Sequence, residues 1–573
     1  MGKKIVVIGG VAAGPKAAAR VKRLLADAEV TLVDQDTLIS YGGCGIPYYV
    51  SGDVADENAL RSTSYHMLRD ADFFARAKGV MVFTGTRATA IDRKMKSVRI
   101  VDLATKTERD LRYDALVLAT GSEPAPLPIA GMELDGVFSI GDLHRAIAIK
   151  ERIAKGLVSR PVIIGGGAIG IEMAEAFTDL WGLETSLIEF REQLLPGIVS
   201  ATLAAMLKKH LIDNKVAVYC GEGAQAIIGQ DGKVAAVRTA ARELAADLVI
   251  VAAGVRPRSA LAKECGLEIG AGGGIVVNER MQTTDPNIYA AGDCVEIRHL
   301  VTGKKFVAPF GSLANKEGRV VADNIAGIPA TFPGSVGSFI MKAFSSCIGG
   351  VGLSLESART EGFDADCSYT APSDRAHFYP EQKVFCLELV FDRRSRRVLG
   401  VQGFGAINDA LMVRLSAASM AISRGASIED FENLELPYAP PFATAIDPLN
   451  AAAHTAENIC DGRMVQIAPQ DFLDWVDDMS RHPDWLVADL RHPAEAQKAV
   501  ERFGSERWLA IPYDQVRARF AEFPKDKTLI LLCNSGTRTY ESQSVLLANG
   551  FMKTMIVGGG SNFIKRLGAD WLA

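Results

Sequence analysis

Apolar residues and glycines follow one another in the same order in two separate parts of the chain. The first copy reads IVVIGGVAAGPKAAARVKRL and then VTLVDQD, and the second reads PVIIGGGAIGIEMAEAF and then TSLIEF. In each copy a short apolar run predicts a buried strand, and the apolar positions after the glycines recur at helical spacing. A second apolar run then ends in an acid. Each copy is therefore predicted to form a strand, a tight turn, an amphipathic helix and a second strand.

The glycines and the terminal acid of each copy suit a bound dinucleotide. A backbone that turns tightly beneath a pyrophosphate needs glycine, and the following helix offers its N–H groups and dipole to the phosphates. An acid about twenty residues further on can bind ribose hydroxyls. The middle glycine of the first copy is replaced by Val11. The residues that we assign to the two sites are Gly9, Gly14 and Asp34 in the first copy, and Gly165, Gly167, Gly170 and Glu189 in the second.

Three further motifs place strand ends near these loops. The segment DALVLATG ends at Thr120 and Gly121, where the chain is expected to cross from one dinucleotide-binding domain to the other. A similar apolar strand, DLVIVAAGVRP, ends at Gly254, where the chain is expected to return to the first domain. The segment TTDPNIYAAGD places Asp293 at the end of a third strand. Two dinucleotide sites in one chain indicate a bound flavin beside a diffusing nicotinamide.

Length and composition exclude several classes of protein. With 573 residues the chain is too long for one hydrophobic core, and a net charge of −5 gives no basic surface for nucleic acid. The nine cysteines lie far apart, with no spacing that suggests a disulfide framework or a zinc site, so we expect no metal. The chain starts directly with a predicted strand, and its apolar runs are shorter than the ~20 residues that span a bilayer. The cytoplasm is therefore the expected location.

Residues 1–460 resemble the flavoprotein disulfide reductases that carry two dinucleotide-binding domains, because all these motifs occur in that family's order. The resemblance implies FAD at the first glycine motif, with Asp293 at the flavin ribityl chain, and NADH or NADPH at the second. Glu189 favours NADH by repelling the 2′-phosphate of NADPH, although Arg191 lies close by. The implied fold is α/β, with two Rossmann-like domains and an α+β dimerisation domain. The domain limits are 1–121 and 255–328 for FAD binding, 122–254 for NAD(P)H binding, and 329–460 for dimerisation.

A single cysteine stands where many of these reductases have a pair. The segment SYGGCGIPYYVSG, residues 40–52, contains only Cys44. It resembles the motif of the coenzyme A-disulfide reductase, NADH oxidase and persulfide reductase branch, with Tyr41 and Gly43 in place of the usual Phe and Asn. The resemblance implies that Cys44 either rests as a mixed disulfide with coenzyme A or attacks a persulfide. Attack needs the thiolate, which local dipoles and positive charge would favour.

Other family residues are matched by shorter segments. Arg20, Lys22 and Arg23 on the first helix either face the phosphates of coenzyme A or form an ordinary solvated helix face. In YAPPFATAIDPLN, Tyr438 matches a tyrosine that reaches the active site of the partner subunit, which implies a homodimer. In RAHFYP, Tyr379 loosely matches a second family tyrosine, with a packing role as the alternative.

The pattern changes after about Gly462. The run WLVADLR predicts a buried strand, and KTLILLC places Cys533 where a second strand ends and a helix begins. The loop from Cys533 to Arg538 would surround the sulfur with backbone amides and add a positive charge, which stabilises a thiolate or a persulfide. This loop resembles the rhodanese active-site motif CxxGxR. Residues 465–573 are therefore expected to form a rhodanese-like α/β domain.

Together these features favour an FAD-dependent NAD(P)H reductase of coenzyme A persulfide or related sulfane sulfur, which releases sulfide. Cys44 would be the redox cysteine that reduces this substrate, and Cys533 would generate or relay persulfide. The expected partners are coenzyme A, low-molecular-weight persulfides or disulfides, and a second copy of the chain. The alternatives are a coenzyme A-disulfide reductase, an NADH oxidase and, from another class, a redox-sensing flavoprotein that binds a partner.

Overall fold

The computed structural model describes residues 2–572, which divide into two compact units. The first unit contains the chain up to Glu192 and Lys215–Ser335, and the second contains Gln193–Asn214 and the chain from Val336 onwards. The segment Gln193–Asn214 lies in sequence inside the predicted nicotinamide-binding domain, yet it packs with the second unit. The predicted domain limits remain predictions.

The first unit contains two parallel five-stranded sheets that are built alike. Their central strands, Lys4–Ile8 and Pro161–Ile164, are runs of Val and Ile, as expected where helices cover both faces of a sheet. The glycine turn and a helix follow each of them, Ala13–Leu24 in one case and Ala168–Thr178 in the other. The duplication predicted from the sequence is confirmed. In spatial order the strands are Ile288–Ala290, Ala115–Leu118, Lys4–Ile8, Glu29–Val33 and Met81–Phe83 in the first sheet, and Ala217–Cys220, Ser186–Glu189, Pro161–Ile164, Leu248–Val251 and Val137–Ser139 in the second.

Two short strands mark where the chain crosses between these sheets. Ser122–Pro124 pairs antiparallel with Val255–Pro257, directly after the ATG and AAG segments of the sequence. The remaining strands of the unit form three small sheets, Thr86–Asp92 with Ser97–Asp102 and Glu108–Arg112, Ala224–Gln230 with Lys233–Thr239 and Glu243–Ala245, and Ile275–Val276 with Val295–Arg298 and Lys305–Val307. Its remaining helices are Gly43–Gly45, Ile46–Ser51, Glu57–Arg61, Ala71–Phe73, Phe74–Lys78, Leu143–Ala154, Ala260–Glu264 and Gly311–Ile325.

The second unit begins with a five-stranded antiparallel sheet. Helix Asp409–Ser423 lies close to this sheet because glycines stand beneath it. A Cβ added at Gly349 would meet Leu415 at 2.7 Å, and one at Gly403 would meet Leu411 at 2.6 Å. In spatial order the strands are Phe339–Ala343, Ser346–Gly352, Val398–Ala406, Cys386–Asp392 and Ala365–Thr370. The accompanying helices are Ala201–Asp213, Leu355–Thr360, Asp409–Ser423, Ile428–Glu432 and Pro448–Cys460.

The last hundred residues form a smaller parallel sheet with helices on both faces. Separate apolar clusters fill the two faces, one around Leu531 and Phe523 and the other around Trp508 and Phe472. In spatial order the strands are Gln466–Ile467, Thr554–Val557, Thr528–Leu532, Trp485–Asp489 and Trp508–Ala510. The helices are Pro469–Asp477, Met479–Arg481, Pro493–Phe503, Tyr513–Gln515, Val516–Arg519, Phe520–Glu522, Thr537–Ala548, Gly560–Lys565 and Asp570–Leu572.

All nine cysteines lie in the described part of the chain, and each is a free thiol. Among residues 2–572, none of the helices combines the length and the apolar composition needed to cross a membrane.

Candidate active site

The first glycine loop brings a helix N-terminus against the end of a strand. Gly9 has a φ of 112°, and a Cβ there would lie 2.0 Å from Ala119 O. A Cβ at Gly14 would lie 1.8 Å from Gly9 O, so only glycine fits at either position. Asp34 accepts hydrogen bonds from Gly10 N at 2.5 Å and from Asp36 N at 2.7 Å. Burial raises the pKa of this carboxyl above its usual range.

The second glycine loop repeats this arrangement. Gly165 has a φ of 117°, and a Cβ at Gly170 would lie 1.9 Å from Gly165 O. Glu189 accepts from Gly166 N at 2.6 Å and from Arg191 N at 2.7 Å, just as the acid of the first loop does. The middle glycine differs, since a Cβ at Gly167 would meet nothing within 4 Å. This loop therefore leaves open space beside its backbone, as the approach of a pyrophosphate would require.

Both loops fit a dinucleotide, since each presents the N-terminus of a helix of more than ten residues with an acid fixed beside it. Beyond the first loop, Ser122 Oγ donates to Asp293 Oδ2 at 3.0 Å, and burial raises the pKa of Asp293. Next to it, Glu317 accepts from Gly292 N at 2.6 Å, and burial raises its pKa to about 7. Asp293 thus lies at a strand end, as the sequence predicts.

Thr120 and Gly121 lie at the crossing between the two parallel sheets. Thr120 Oγ1 donates to Arg258 O at 2.6 Å, and Gly121 O accepts from Arg258 N at 2.9 Å. Gly121 has a φ of 70°, which favours glycine. These bonds join the outgoing segment of chain to the returning one.

Cys44 is exposed, in the short turn Gly43–Gly45 that leads into helix Ile46–Ser51. A Cβ at Gly311 would lie 3.7 Å from Cys44 Sγ. Gly311 is the first residue of the 15-residue helix Gly311–Ile325, and a helix N-terminus favours a negative charge. On the other side, a Cβ at Gly43 would meet only the Tyr41 ring edge, at 4.0 Å. The sulfur is therefore accessible and lies beside a group that stabilises an anion.

The sequence prediction missed two ionisable residues with raised pKa values, Tyr48, four residues after this cysteine, and Glu172, on the helix of the second glycine loop. Burial is the largest cause that raises the pKa of Tyr48, to about 12, and the charges of Glu172, Glu175, Asp53 and Cys44 add to it. Burial, followed by the charge of Glu175, raises the pKa of Glu172 to about 7. Neither residue belongs to a spacing that signals chemistry, since one follows a proline and the other lies within an apolar helix.

The three basic residues of the first helix that are predicted to bind coenzyme A are only partly available to a ligand. Arg20 Nε donates to Asp323 at 2.5 Å, and Lys22 Nζ donates to Ala26 O at 2.6 Å and Ala28 O at 2.8 Å. Arg23 is exposed. Two of the three cations thus have internal partners, and the binding of coenzyme A by this cluster remains a prediction.

Another arginine, which belongs to no motif of the sequence, follows a residue that contacts the glycines around Cys44. Arg61 ends the helix Glu57–Arg61, and its Nε is buried without a hydrogen-bond partner in the described structure. Its neighbour Leu60 accepts from Gly42 N at 2.9 Å and from Arg69 Nη2 at 3.0 Å. This segment therefore packs against the glycines before the cysteine.

The two tyrosines predicted from the family lie in the second unit. Tyr438 is 51% exposed, and Tyr379 is partly buried. Their segments are joined, because Ala376 N donates to Pro440 O at 3.2 Å and Tyr379 N donates to Ala376 O at 2.9 Å. Their catalytic roles remain predictions.

Cys533 is completely buried at the end of strand Thr528–Leu532. Gly536 N donates to Cys533 Sγ at 3.1 Å, and the Thr539 hydroxyl lies 3.8 Å from the sulfur. The sequence predicted a ring of amides, whereas in the described chain one amide reaches the sulfur. Ser561 N donates to Cys533 O at 2.8 Å and so fixes the backbone of the loop. Arg538 lies in the first turn of helix Thr537–Ala548, with no ion pair among the described residues.

Two family models match this chain. The one described as pyridine nucleotide-disulphide oxidoreductase matches residues 3–308, and that of its dimerisation domain matches residues 341–449. The NAD(P)H coenzyme A polysulfide/persulfide reductase of Pyrococcus horikoshii is 37% identical over 453 residues, which cover 78% of this chain and 97% of that protein. An NADH oxidase of Methanocaldococcus jannaschii is 34% identical over 453 residues, with 79% and 98% covered.

Two solved structures are similar to nearly the whole chain, including its last hundred residues. The NAD-dependent persulfide reductase of A. fulgidus has a TM-score of 0.91 at 39% identity, and covers 98% of this chain and 99% of that one. The reduced CoADR-RHD of Bacillus anthracis has a TM-score of 0.90 at 29% identity, with 99% and 98% covered.

Proposed function

The chain belongs to the pyridine nucleotide-disulphide oxidoreductase family, and we propose that it is an FAD-dependent NAD(P)H reductase of persulfides such as coenzyme A persulfide. The observation that carries this proposal is the exposed Cys44, which lies beside the N-terminus of helix Gly311–Ile325 in the same unit as both dinucleotide loops. The relatives from P. horikoshii and A. fulgidus, both persulfide reductases by name, support the choice of substrate.

The two glycine loops would bind different dinucleotides. Gly9, Gly14, Asp34 and Asp293 would hold FAD, while Gly165, Gly167, Gly170 and Glu189 would hold the nicotinamide dinucleotide. Bound FAD supplies a relay for two electrons from NADH to the sulfur chemistry. NADH is the expected donor because Glu189 repels a 2′-phosphate.

Cys44 would perform the sulfur chemistry as a thiolate. It attacks the inner sulfur of R–S–SH, so that a Cys44–S–S–R bond forms and the outer sulfur leaves as HS⁻. Two electrons and one proton then cleave the mixed disulfide into the Cys44 thiolate and R–SH. With coenzyme A as the R group, the mixed disulfide is also the expected resting form.

Anaerobic NADH oxidation by the purified protein tests this proposal. Coenzyme A persulfide should be reduced much faster than coenzyme A disulfide, with release of sulfide. Cys44→Ser should abolish both reactions, whereas Cys460→Ser, at a half-buried helix end, should leave them intact. Equal or faster reduction of the disulfide would instead favour a coenzyme A-disulfide reductase.

An NADH oxidase is the second candidate, because the M. jannaschii relative carries that name. Rapid NADH consumption with oxygen as the sole acceptor would favour it. Slow turnover with oxygen and with every sulfur acceptor would instead favour a redox sensor that binds a partner.

We propose further that the last hundred residues form a rhodanese-like domain in which Cys533 carries sulfane sulfur. Support comes from the Gly536 amide on the sulfur and from the guanidinium of Arg538 at the loop's end. Incubation with a sulfane sulfur donor should add 32 Da to the wild-type chain at Cys533. The Cys533→Ser variant should not gain this mass, yet should still reduce coenzyme A persulfide that is supplied ready-made.

A further inference from the structure

The sulfur of Cys533 lies at the start of helix Thr537–Ala548. Gly536, the residue before this helix, donates its amide to Cys533 Sγ at 3.1 Å, and no side chain caps this end of the helix. Gly536 has a φ of 103°, while a Cβ there would meet nothing within 4 Å. Glycine is thus favoured by the backbone conformation and not by a lack of space. This conformation turns one amide towards the sulfur.

A threonine in the first turn of the helix contacts both this glycine and the sulfur. Thr539 is 1% exposed, and its Oγ1 donates to Gly536 O at 2.5 Å. Threonine hydroxyls often bond to a carbonyl one turn earlier in a helix, so this bond alone would be ordinary. The same oxygen, however, lies 3.8 Å from Cys533 Sγ, where it can accept from the thiol. The hydroxyl group therefore connects the sulfur to Gly536 O.

The direction of these hydrogen bonds has to depend on the charge of the sulfur. A hydroxyl group has one proton to donate and two lone pairs that accept. While Cys533 is a thiol, its S–H donates to Thr539 Oγ1, and the Thr539 proton points at Gly536 O. A thiolate has no proton, so the same arrangement would leave an oxygen lone pair facing a negative sulfur. Rotation of the hydroxyl removes this repulsion, because it turns the proton towards the sulfur.

This rotation leaves no carbonyl without a partner. Gly536 O also accepts from Tyr540 N at 3.2 Å, a backbone bond that persists when the hydroxyl turns away. Cys533 and Thr539 are both shielded from water, and a hydrogen bond to a charged group is stronger than one between neutral groups. The thiolate therefore gains a second donor while every group in the turn stays hydrogen-bonded.

We propose that Thr539 is a second hydrogen-bond donor to the anionic sulfur of Cys533, and that its hydroxyl turns from Gly536 O to Sγ as the thiol loses its proton. The inference rests on the proposed role of Cys533 in carrying sulfane sulfur. The thiolate is the attacking form, and with thiosulfate as the donor the step is Cys533–S⁻ + S₂O₃²⁻ → Cys533–S–S⁻ + SO₃²⁻. The sulfur–sulfur bond of thiosulfate breaks, and its electron pair leaves with sulfite.

The same hydroxyl serves the delivery of the sulfur. When a thiolate acceptor attacks the outer sulfur, the step is Cys533–S–SH + R–S⁻ → Cys533–S⁻ + R–S–SH. Sγ is then the leaving group and takes back the negative charge. Thr539 thus stabilises Cys533 both as the attacking group and as the leaving group.

The pH dependence of sulfur loading tests this inference. The full-length protein is mixed with thiosulfate without NADH, and mass spectrometry follows the gain of one sulfur atom on the peptide that contains Cys533. Thr539→Val keeps the shape of the side chain but removes the hydroxyl, so the midpoint of the profile should move to higher pH by about one to two units. Below the midpoint loading should slow by about 10- to 100-fold, and at high pH it should recover.

Two variants separate the hydroxyl from the shape of the site. Thr539→Ser restores a hydroxyl and should keep the wild-type profile. Ser542→Ala removes another buried hydroxyl, one turn further along the same helix, which has no hydrogen-bond partner within the described chain, and it should also keep the wild-type profile. All three variants should reduce ready-made coenzyme A persulfide at the wild-type rate, because that reaction is assigned to Cys44.

Crystal structures of the unloaded wild type, at pH values below and above the midpoint, test the rotation itself. Above the midpoint Thr539 Oγ1 should lie closer to Cys533 Sγ than 3.8 Å and further from Gly536 O than 2.5 Å.

Unchanged distances in the two crystals, or a wild-type loading profile in Thr539→Val, would overturn this inference and leave the loading of Cys533 standing. Loss of loading at every pH in Thr539→Val would overturn it too, since the threonine would then only maintain the loop. A wild-type chain that gains no sulfur at Cys533 would overturn both the inference and the proposed role of this cysteine.

Discussion

Two glycines in one loop, Gly167 and Gly170, should respond differently to the same substitution. Gly170→Ala places a Cβ 1.9 Å from a backbone oxygen, so the strand and helix must separate, at a cost of about 1–3 kcal/mol in stability. Gly167→Ala meets nothing within 4 Å and should fold normally. Its methyl group instead occupies space expected for the pyrophosphate, so the KM for NADH should rise roughly tenfold, equivalent to ~1.4 kcal/mol.

Thermal unfolding and steady-state kinetics of both alanine variants check this prediction. The unfolding temperature should fall in Gly170→Ala alone, and the KM should change in Gly167→Ala with kcat retained. A normal KM in a stably folded Gly167→Ala would mean that the dinucleotide does not approach this loop.

Individual residues were predictable from the sequence where their chemistry depends on near neighbours. Glycine loops, their acids and the two cysteines that we propose to be reactive all belong to short segments with a fixed spacing. Arg20 shows the limit, since its partner Asp323 lies 303 positions away and no local pattern reveals it. Tyr48 and Glu172 were missed for the same reason, because their unusual environment exists only once two distant helices pack together.

At the scale of elements, the strand Cys386–Asp392 contains a carboxyl group that should make stability depend on pH. Glu388 is fully buried within the described chain. Burial raises its pKa from about 4.5 to about 8, and the Ser200 hydroxyl offsets part of this rise. The folded state thus keeps a proton that the unfolded chain releases. The free energy of unfolding should therefore fall as pH rises from about 4.5 to about 8.

Glu388→Gln removes this titration while it preserves the shape of the side chain. The variant should be more stable than the wild type at pH 8.5, with the difference shrinking as the pH falls towards 5. Unfolding midpoints in urea at several pH values measure this. Glu435→Gln, at an exposed loop position, should follow the wild type throughout. Equal pH dependence in Glu388→Gln and the wild type would contradict the prediction.

The helix Pro448–Cys460 depends on one carboxylate at its start. Asp447 caps the helix by accepting from Leu449 N at 3.0 Å, and it also pairs with the buried Arg414 at 2.8 Å. Asp447→Ala removes the cap and leaves a buried guanidinium unpaired, which should cost about 3–5 kcal/mol. Hydrogen exchange should show faster exchange in this helix. Ser427→Ala, which removes an exposed cap, should cost only ~1 kcal/mol.

Parallel strands were easier to predict than antiparallel ones. Runs such as IVVI and LVIV are apolar at every position because helices cover both faces of their sheets. The strands Ser346–Gly352 and Val398–Ala406 contain several glycines, which weaken a strand signal. Their glycines have a tertiary cause, the close approach of helix Asp409–Ser423, which the local sequence does not contain.

At the scale of the whole molecule, an apolar surface on the second unit fits the predicted homodimer. Helix Asp409–Ser423 exposes Met412, Val413 and Met420, and the nearby chain exposes Phe442 and Ile446. Exposed apolar side chains gathered in one domain mark an interaction surface, and the dimerisation model matches this region.

Met420→Glu should therefore shift the protein towards monomer, as measured by analytical ultracentrifugation at micromolar concentration. Met552→Glu is the control, since that side chain is 75% exposed in the C-terminal part of the chain. A wild-type sedimentation coefficient in Met420→Glu would exclude this surface as the dimer interface.

The way the last hundred residues are attached limits how far they can move against the antiparallel sheet. Only the five residues Asp461–Val465 connect the end of helix Pro448–Cys460 to the start of strand Gln466–Ile467. A fully extended chain of five residues spans at most ~18 Å. Contacts outside this linker also join the two parts, because Tyr540 Oη donates to Asn458 Oδ1 at 2.9 Å and the Tyr369 and Phe563 rings meet edge to face at 5.8 Å. The region therefore cannot act as a swinging arm on its sheet. A sulfur atom loaded at Cys533 would therefore stay where the loop holds it, and its onward delivery would depend on an acceptor that comes to this loop.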